Sequence, residues 1–197
     1  MIIKKLIKIK ITKYIIIVSH LKKKLINKEF IQKLRINKNI LNKKFTIEDQ
    51  KKYINSINIS EKDLILSVKL NSKFIGTIGL QNLNKKFCHI GVFIFSESAL
   101  KKKISKYFLI AAILLVNYFF KKDFFVAGIN NDNLPSIKSF SSVGFSKIKN
   151  SELKKYVSVQ DYKSWLTRSY KNYSCYKLDI KDLKNILRYS KLRYEYV

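Results

Sequence analysis

The chain has 197 residues, 47% of them hydrophobic and one of them Pro, which suffices for one packed core over residues 1–197 and leaves no stretch that reads as a linker. A formal net charge of +28 would suit a polyanion binder, but only four of the 41 basic residues are Arg (Arg35, Arg168, Arg188, Arg193) and no recognition motif accompanies them. Lys scattered among Ile and Asn reads as drift toward A/T-rich codons, so non-specific attraction to polyanions is expected and specific nucleic-acid recognition is not.

In chain order, residues 11–19 are apolar enough for a strand. Asn27 then caps a short helix over residues 28–35, with Phe30, Ile31 and Leu34 on one face. Thr46 followed three residues later by Asp49 has the form of a capping box, opening a helix through Ile57. Residues 64–70, 73–81 and 87–95 are three runs of strand length. The connections between them, Asn71-Ser72 and residues 82–86, are short, and short connections force neighbouring strands to be antiparallel. Gly76, Gly79 and Gly91 fall inside this meander, where glycine weakens a strand; each reads first as a bulge or bend and second as a place for close approach.

A long helix is predicted over residues 100–120, apolar on nearly every side and therefore covered all round. Its 14-residue apolar run, residues 107–120, includes Asn117 and is too short for the about 20 residues of a spanning helix. The basic N-terminus carries no apolar run long enough for a secretory signal, so a cytoplasmic location and no membrane partner are expected. A strand over 124–129 completes a right-handed βαβ crossover and lies parallel to 87–95. Pro135 opens a helix to about Val143, and Gly144 stops it. Strands over 145–149 and 174–179 follow, and Asp179 with Asp182 opens a last helix to about Tyr189. Residues 150–173 carry no assignable pattern.

Cys88 and Cys175 make no disulfide framework and read as reduced buried thiols. The two histidines, His20 and His89, stand at no ligand-like spacing to them, so no metal site is expected.

Four pieces in order resemble one family. Lys73-Phe74-Ile75-Gly76-Thr77-Ile78-Gly79-Leu80 looks like the third strand of the GNAT (GCN5-related) N-acetyltransferases, and His89-Ile90-Gly91-Val92-Phe93-Ile94 like the fourth. Ala127-Gly128-Ile129-Asn130, and then Asn133-Leu134-Pro135-Ser136-Ile137 through Val143-Gly144-Phe145, are similar to the family's ending. The resemblance covers about residues 25–180 and is closest in flavour to the branch that acetylates ribosomal-protein N-termini or amino-sugar nucleotides. It implies an α/β (α+β type) fold, with a mixed, mostly antiparallel sheet, a central βαβ crossover and flanking helices.

The resemblance also implies acetyl-CoA as co-substrate, lying between the splayed fourth and fifth strands. Backbone groups of Val92, Phe93 and Ile94 would bond the pantetheine amides, with Asn130 and Asn133 toward the pantetheine arm. The pyrophosphate would sit at the crossover helix N-terminus, where N–H groups and the helix dipole favour anions. The family's glycine-bearing loop is replaced here by Leu100-Lys101-Lys102-Lys103-Ile104-Ser105, a degenerate version in which lysine charge would stand in for close backbone approach. For the chemistry, the family's tyrosine position matches Phe140, which has no proton to give. Ser136 is then the expected hydroxyl near the thiol, or a first-turn hydroxyl satisfying backbone. His89, the one His near the cleft, is a candidate base or else a packed or solvent-facing strand residue with a water relaying the proton, and Glu97, just after the fourth strand, is a further candidate. The acceptor would be a small-molecule amine or a protein N-terminus.

Two other readings compete. A GNAT-like module that binds without catalysis would explain the glycine-less loop and Phe140. A basic RNA-associated protein would use the tyrosines between Tyr162 and Tyr196 as a stacking surface, although half-buried strand and helix positions explain them as well.

Overall fold

A computed structural model describes residues 6–11, 14–36, 46–59, 62–96, 98–99, 104–153, 172–183, 187 and 193–197. Nine strands form one sheet in the order β7-β8-β6-β5-β4-β3-β2-β1-β9. They are β1 (Ile7–Ile11), β2 (Tyr14–His20), β3 (Leu64–Leu70), β4 (Lys73–Gln81), β5 (Phe87–Ile94), β6 (Phe124–Asn130), β7 (Ser146–Ile148), β8 (Tyr173–Asp179) and β9 (Arg193–Tyr196). The helices are α1 (Lys28–Ile36), α2 (Ile47–Ile59), α3 (Ser105–Phe120), α4 (Leu134–Ser141) and the short α5 (Asn150–Leu153). Every pairing is antiparallel except β5 with β6, the pair joined through α3. Such a lone parallel pair needs the long helical crossover that the sequence supplies.

Three expectations are corrected. The strand expected at 11–19 is the second arm of a hairpin; Ile7–Ile11 forms the first, pairing Ile7 with Val18 through Ile11 with Tyr14. The crossover helix runs from Ser105 with Ile104 at its N-cap, rather than as one described element from residue 100. At the C-terminus residues 180–183 and 187 are helical, as expected where the chain is described, but a further strand was not expected: Arg193–Tyr196 turns back as β9 and pairs with β1, which nothing in its local pattern announced.

The period-2 alternation of the strands sorts the core onto two faces. One face, carrying Ile16, Val18, Leu66, Val68, Ile78, Leu80, Ile90 and Phe125, packs against α3, whose residues from Phe108 to Val116 are all buried. The other carries Ile65, Phe74 and Phe93 against α1 and α2, where Phe30 is ringed by Phe74, Phe93 and Phe95 at centroid distances of 5.7, 6.2 and 5.9 Å.

Local chemistry sets the element ends. The Asn27 side chain accepts from Phe30 N at 2.9 Å and starts α1. Thr46 Oγ1 accepts from Asp49 N at 3.1 Å while Asp49 Oδ2 accepts from Thr46 N at 2.7 Å, closing the expected capping box of α2. The bond from Thr46 N, and after it a second that Thr46 Oγ1 donates to Asp49 Oδ2 at 2.8 Å, hold the Asp49 carboxyl below its ordinary pKa. Gly144, at φ 95°, ends the α4 segment in a conformation that disfavours a side chain. In β4, Val68 pairs with Gly76 and Lys69 with Phe74, so Ile75 is the extra residue of a bulge. Among the described residues no helix is long and apolar enough to cross a membrane.

Candidate functional site

β5 and β6 touch over only three rungs, Phe87 with Phe124, Cys88 with Phe125 and His89 with Val126. Beyond His89 the two strands run on to Ile94 and Asn130 without pairing each other, while β5 stays bonded to β4 up to Gly76 with Ile94 and β6 to β8 up to Asn130 with Tyr173. The sheet is therefore forked. On the β6 side the backbone of residues 90–94 has no strand partner among the described residues, and a slot is left that an extended, amide-bearing ligand could fill by joining the sheet edge. Val92, Phe93 and Ile94 line this arm and are all partly buried. Val92 and Ile94 lean toward α3, and Phe93 toward α1 and α2.

His89 stands on the last paired rung, at the apex of the fork. Its Nδ1 lies 3.2 Å from Gln81 Oε1; in the tautomer that donates this bond, Nε2 carries the lone pair. Burial of the ring pushes its pKa down to about 4, so His89 is neutral at physiological pH. On the α2 side of the sheet the imidazole lines a pocket of about 190 Å³ together with Tyr53, Asp63, Thr77, Gly79 and Gly91. Asp63, Gln81, Tyr53 and the facing pair Gly79 and Gly91 were not singled out as site residues from sequence. The glycine pair could have been found by counting outward from the β4–β5 turn.

The N-terminus of α3 opens beside the fork. Ile104 at the N-cap supplies no side-chain bond, and no acidic residue stands in the first turn, so the helix end is left to its own N–H groups and to Lys106. Such an end favours an anion. The Ile104 side chain is buried in the core, which leaves only its backbone for a ligand. The Ser105 hydroxyl lies 2.6 Å from Ser139 Oγ and ties α3 to α4. Leu100, Lys101, Lys102, Lys103 and Glu97 lie outside the described residues.

The remaining candidates divide. Asn133 is the N-cap of α4, its Oδ1 accepting from Ser136 N at 3.3 Å, so its carbonyl serves the helix and its amide is what remains for a ligand. Asn130 Oδ1 accepts from Asp132 N at 2.8 Å and from Asn172 Nδ2 at 3.4 Å, which makes it a turn-former bonded to the start of β8. The Ser136 hydroxyl, half-buried in the first turn of α4, has no hydrogen bond among the described residues. Phe140 is a core residue, set edge-on to Phe145 at 4.9 Å. The described tyrosines of the tail lie on strands: Tyr173 and the buried Tyr176 in β8, Tyr194 and Tyr196 in β9. Cys88 and Cys175 are buried thiols pushed up to about 12 by that burial, which suits packing and not nucleophilic work. No group of His, Cys, Asp and Glu among the described residues could hold a metal ion.

The sequence matches no family model and no curated protein. Solved structures do match. Mycobacterium smegmatis RimJ in complex with CoA-disulfide superposes with a TM-score of 0.70 over 96% of each chain at 10% identity. The fold is the GNAT fold. Vibrio cholerae spermidine N-acetyltransferase, solved with CoA and spermine, covers 86% of this chain and 98% of its own with a TM-score of 0.67 and 12% identity. Campylobacter jejuni N-acetyltransferase PseH covers 82% and 97%, with a TM-score of 0.56 and 13% identity. At these identities the likeness establishes the architecture, and chemistry has to be reasoned from the site itself.

Proposed function

We propose that the chain is an acetyl-CoA-dependent N-acetyltransferase acting on a primary amine. The single observation that carries this is the fork: β5 and β6 part at His89, directly above a pocket on the α2 face. The acetyl thioester supplies an activated acyl group. Along one arm of the fork the strand alternation turns backbone groups of Val92 and Ile94 to the open side for the pantetheine amides, while Phe93, its O facing β4, lies between them, with the Asn133 amide near the other arm. The α3 N-terminus, with Lys106 and the Lys101–Lys102–Lys103 run just before it, takes the pyrophosphate by dipole and charge where the family uses glycines.

In the transfer, a bond forms between the amine nitrogen and the acyl carbon, and the bond from that carbon to sulfur breaks. The amine sheds one proton and the departing thiolate gains one. Neutral His89 accepts a hydrogen bond from the incoming amine and passes its proton on to solvent, since at a pKa of about 4 it does not retain it. The Ser136 hydroxyl is the protein group proposed to donate to the thiolate, regaining its proton from solvent so that the amine's loss and the thiol's gain balance. The acceptors suggested by the resemblance are an amino-sugar nucleotide or a protein N-terminus, with the reaction in the cytoplasm and no specific nucleic-acid partner.

One observation favours a second reading, a module that binds without turning over: Phe140 is locked in the core where a proton donor would help. Calorimetric titration with acetyl-CoA, using dephospho-CoA and ATP as charge controls, tests the first reading. One saturable site preferring acetyl-CoA over ATP is expected. Heat no greater than with ATP would remove acetyl transfer, while saturable binding without turnover of any primary amine would leave the binding module.

A further inference from the structure

The three glycines of the β4–β5 meander are not equivalent. A Cβ built on Gly76 would stand 2.3 Å from Phe93 O and 2.9 Å from the Ile94 Cα, so the fold itself forbids a side chain there. Gly79 and Gly91 face each other directly across the β4–β5 pair, and a Cβ on either would meet nothing within 4 Å. Neither has a positive φ. Backbone conformation and the packing of the described residues therefore leave room for a Cβ at both positions, and mid-strand glycine carries a stability cost. What the two missing side chains create is the floor of the pocket beside His89.

The walls say what fits. Among the described residues that line the pocket there is no Lys or Arg, in a chain of net charge +28. Asp63 carries the one carboxylate among the described lining residues, its Oδ1 accepting from Asn82 N at a long 3.4 Å, and the imidazole beside it is neutral. The wall is thus locally negative and suits a cation. Ile57 and Ile65 flank the floor with aliphatic surface, while the ring of Tyr53, half exposed, stands at the rim. A volume of about 190 Å³ lies below the 300–1,000 Å³ of sites that take whole cofactors or drug-sized molecules. It suits a short chain, and not a nucleotide sugar.

We propose that Gly79 and Gly91 form the floor of an acceptor slot for an unbranched primary alkylammonium chain, with the Asp63 carboxylate holding its charge. This rests on reading the fork as an acetyl-transfer site for a primary amine, and it puts an amine on an unbranched carbon chain in place of the amino-sugar nucleotide or protein N-terminus that the resemblance suggests.

The test is a titration of the Gly79 and Gly91 amide resonances with n-butylammonium, which needs no acetyl-CoA. Saturable shifts are expected in the wild type, at least tenfold weaker for tert-butylammonium, which has the same charge on a branched carbon. G79V and G91V should weaken n-butylammonium at least tenfold while melting within a few degrees of wild type, and D63N should weaken it without changing the preference for the unbranched chain. G76V, by contrast, should not fold. Equal binding of both amines, or unchanged binding in the valine variants, would overturn the slot. So would valine variants that unfold, because the glycines would then be structural. Nα-acetyl-lysine methylamide forms a second arm: if it binds like n-butylammonium the slot accepts a lysine side chain, and if it does not, a free alkylamine. Because acetyl-CoA binding is measured separately by calorimetry, loss of the slot and loss of the acetyl-transfer reading are told apart.

Discussion

His89 shows how one buried rung decides both stability and chemistry. Its ring is held neutral by burial, with a pKa of about 4 against an ordinary 6.5. Between those two values the unfolded chain binds a proton that the folded chain does not. Stability is therefore whole above pH 6.5, and it falls as pH drops toward 4, by about 3 kcal/mol from this residue. Urea unfolding of wild type and H89Q at pH 7 and pH 4.5 checks this: the wild-type midpoint should fall further on acidification than the variant's. The same neutrality predicts that the kcat/KM of the proposed transfer has no inflection near pH 6.5, and that its rise with pH follows deprotonation of the amine. Lys122 is a comparable case without a site role. It is 3% exposed, with Nζ donating to Leu83 O and to Lys85 O, and so fastens the start of β6 to the β4–β5 turn that sets the register of the forked pair. Desolvation lowers its pKa from the ordinary lysine value.

At the scale of elements, α1 is placed by the Asn27 cap and by Phe30 of the same first turn in its aromatic cluster, and α2 by the Thr46 capping box and the buried Ile54. The α2 helix walls the pocket through Tyr53 and Ile57, so its stability bears on the site. T46A removes both the side-chain bond to Asp49 N and the hydroxyl bond to Asp49 Oδ2. It should destabilise the protein by about 1 kcal/mol, read as a lower urea midpoint at unchanged slope. Faster amide exchange should appear in the first turn of α2 before anywhere in the sheet. On the opposite face α3 needs no such help, because nine consecutive buried residues hold it in place.

At the scale of the whole molecule, the sheet is closed on one side by a strand from the other end of the chain. β9 bonds to β1 and continues into reciprocal bonds between Leu6 and Val197 at 2.8 and 2.9 Å. The Tyr196 hydroxyl donates to Leu114 O at 3.3 Å, and its ring lies 4.5 Å from that of Tyr118. The Lys8–Glu195 ion pair at 2.8 Å is exposed on both sides and contributes little. Removal of residues 193–197 should cost about 2–3 kcal/mol, lowering the melting temperature by about 5–10 °C. It should also increase association at raised concentration, because β1 becomes a bare edge. A truncated chain that melts like the full one would show β9 to be an ornament of the edge.

What the sequence determined by itself is whatever rests on near neighbours in the chain: the caps at Asn27 and Thr46, the β3–β4–β5 meander, the all-round apolar crossover helix and the Pro135 to Gly144 helix. Each is fixed by side chains a few residues apart, or by a connection too short to allow another pairing. The motif resemblance could follow because those pieces come in a characteristic order. The tertiary structure alone decided the rest. Ile7–Ile11 alternates Ile with Lys and pairs with the strand that follows it, but five residues are too few for that alternation to stand out in a lysine-rich segment, and β9 was invisible because its partner lies nearly the whole chain away. The candidate site divides the same way. His89 and the Val92–Ile94 arm were legible from the fourth-strand pattern. Asp63, Tyr53 and the meaning of Gly79 opposite Gly91 were not, since a pocket is the space left between elements and is written in no single one of them.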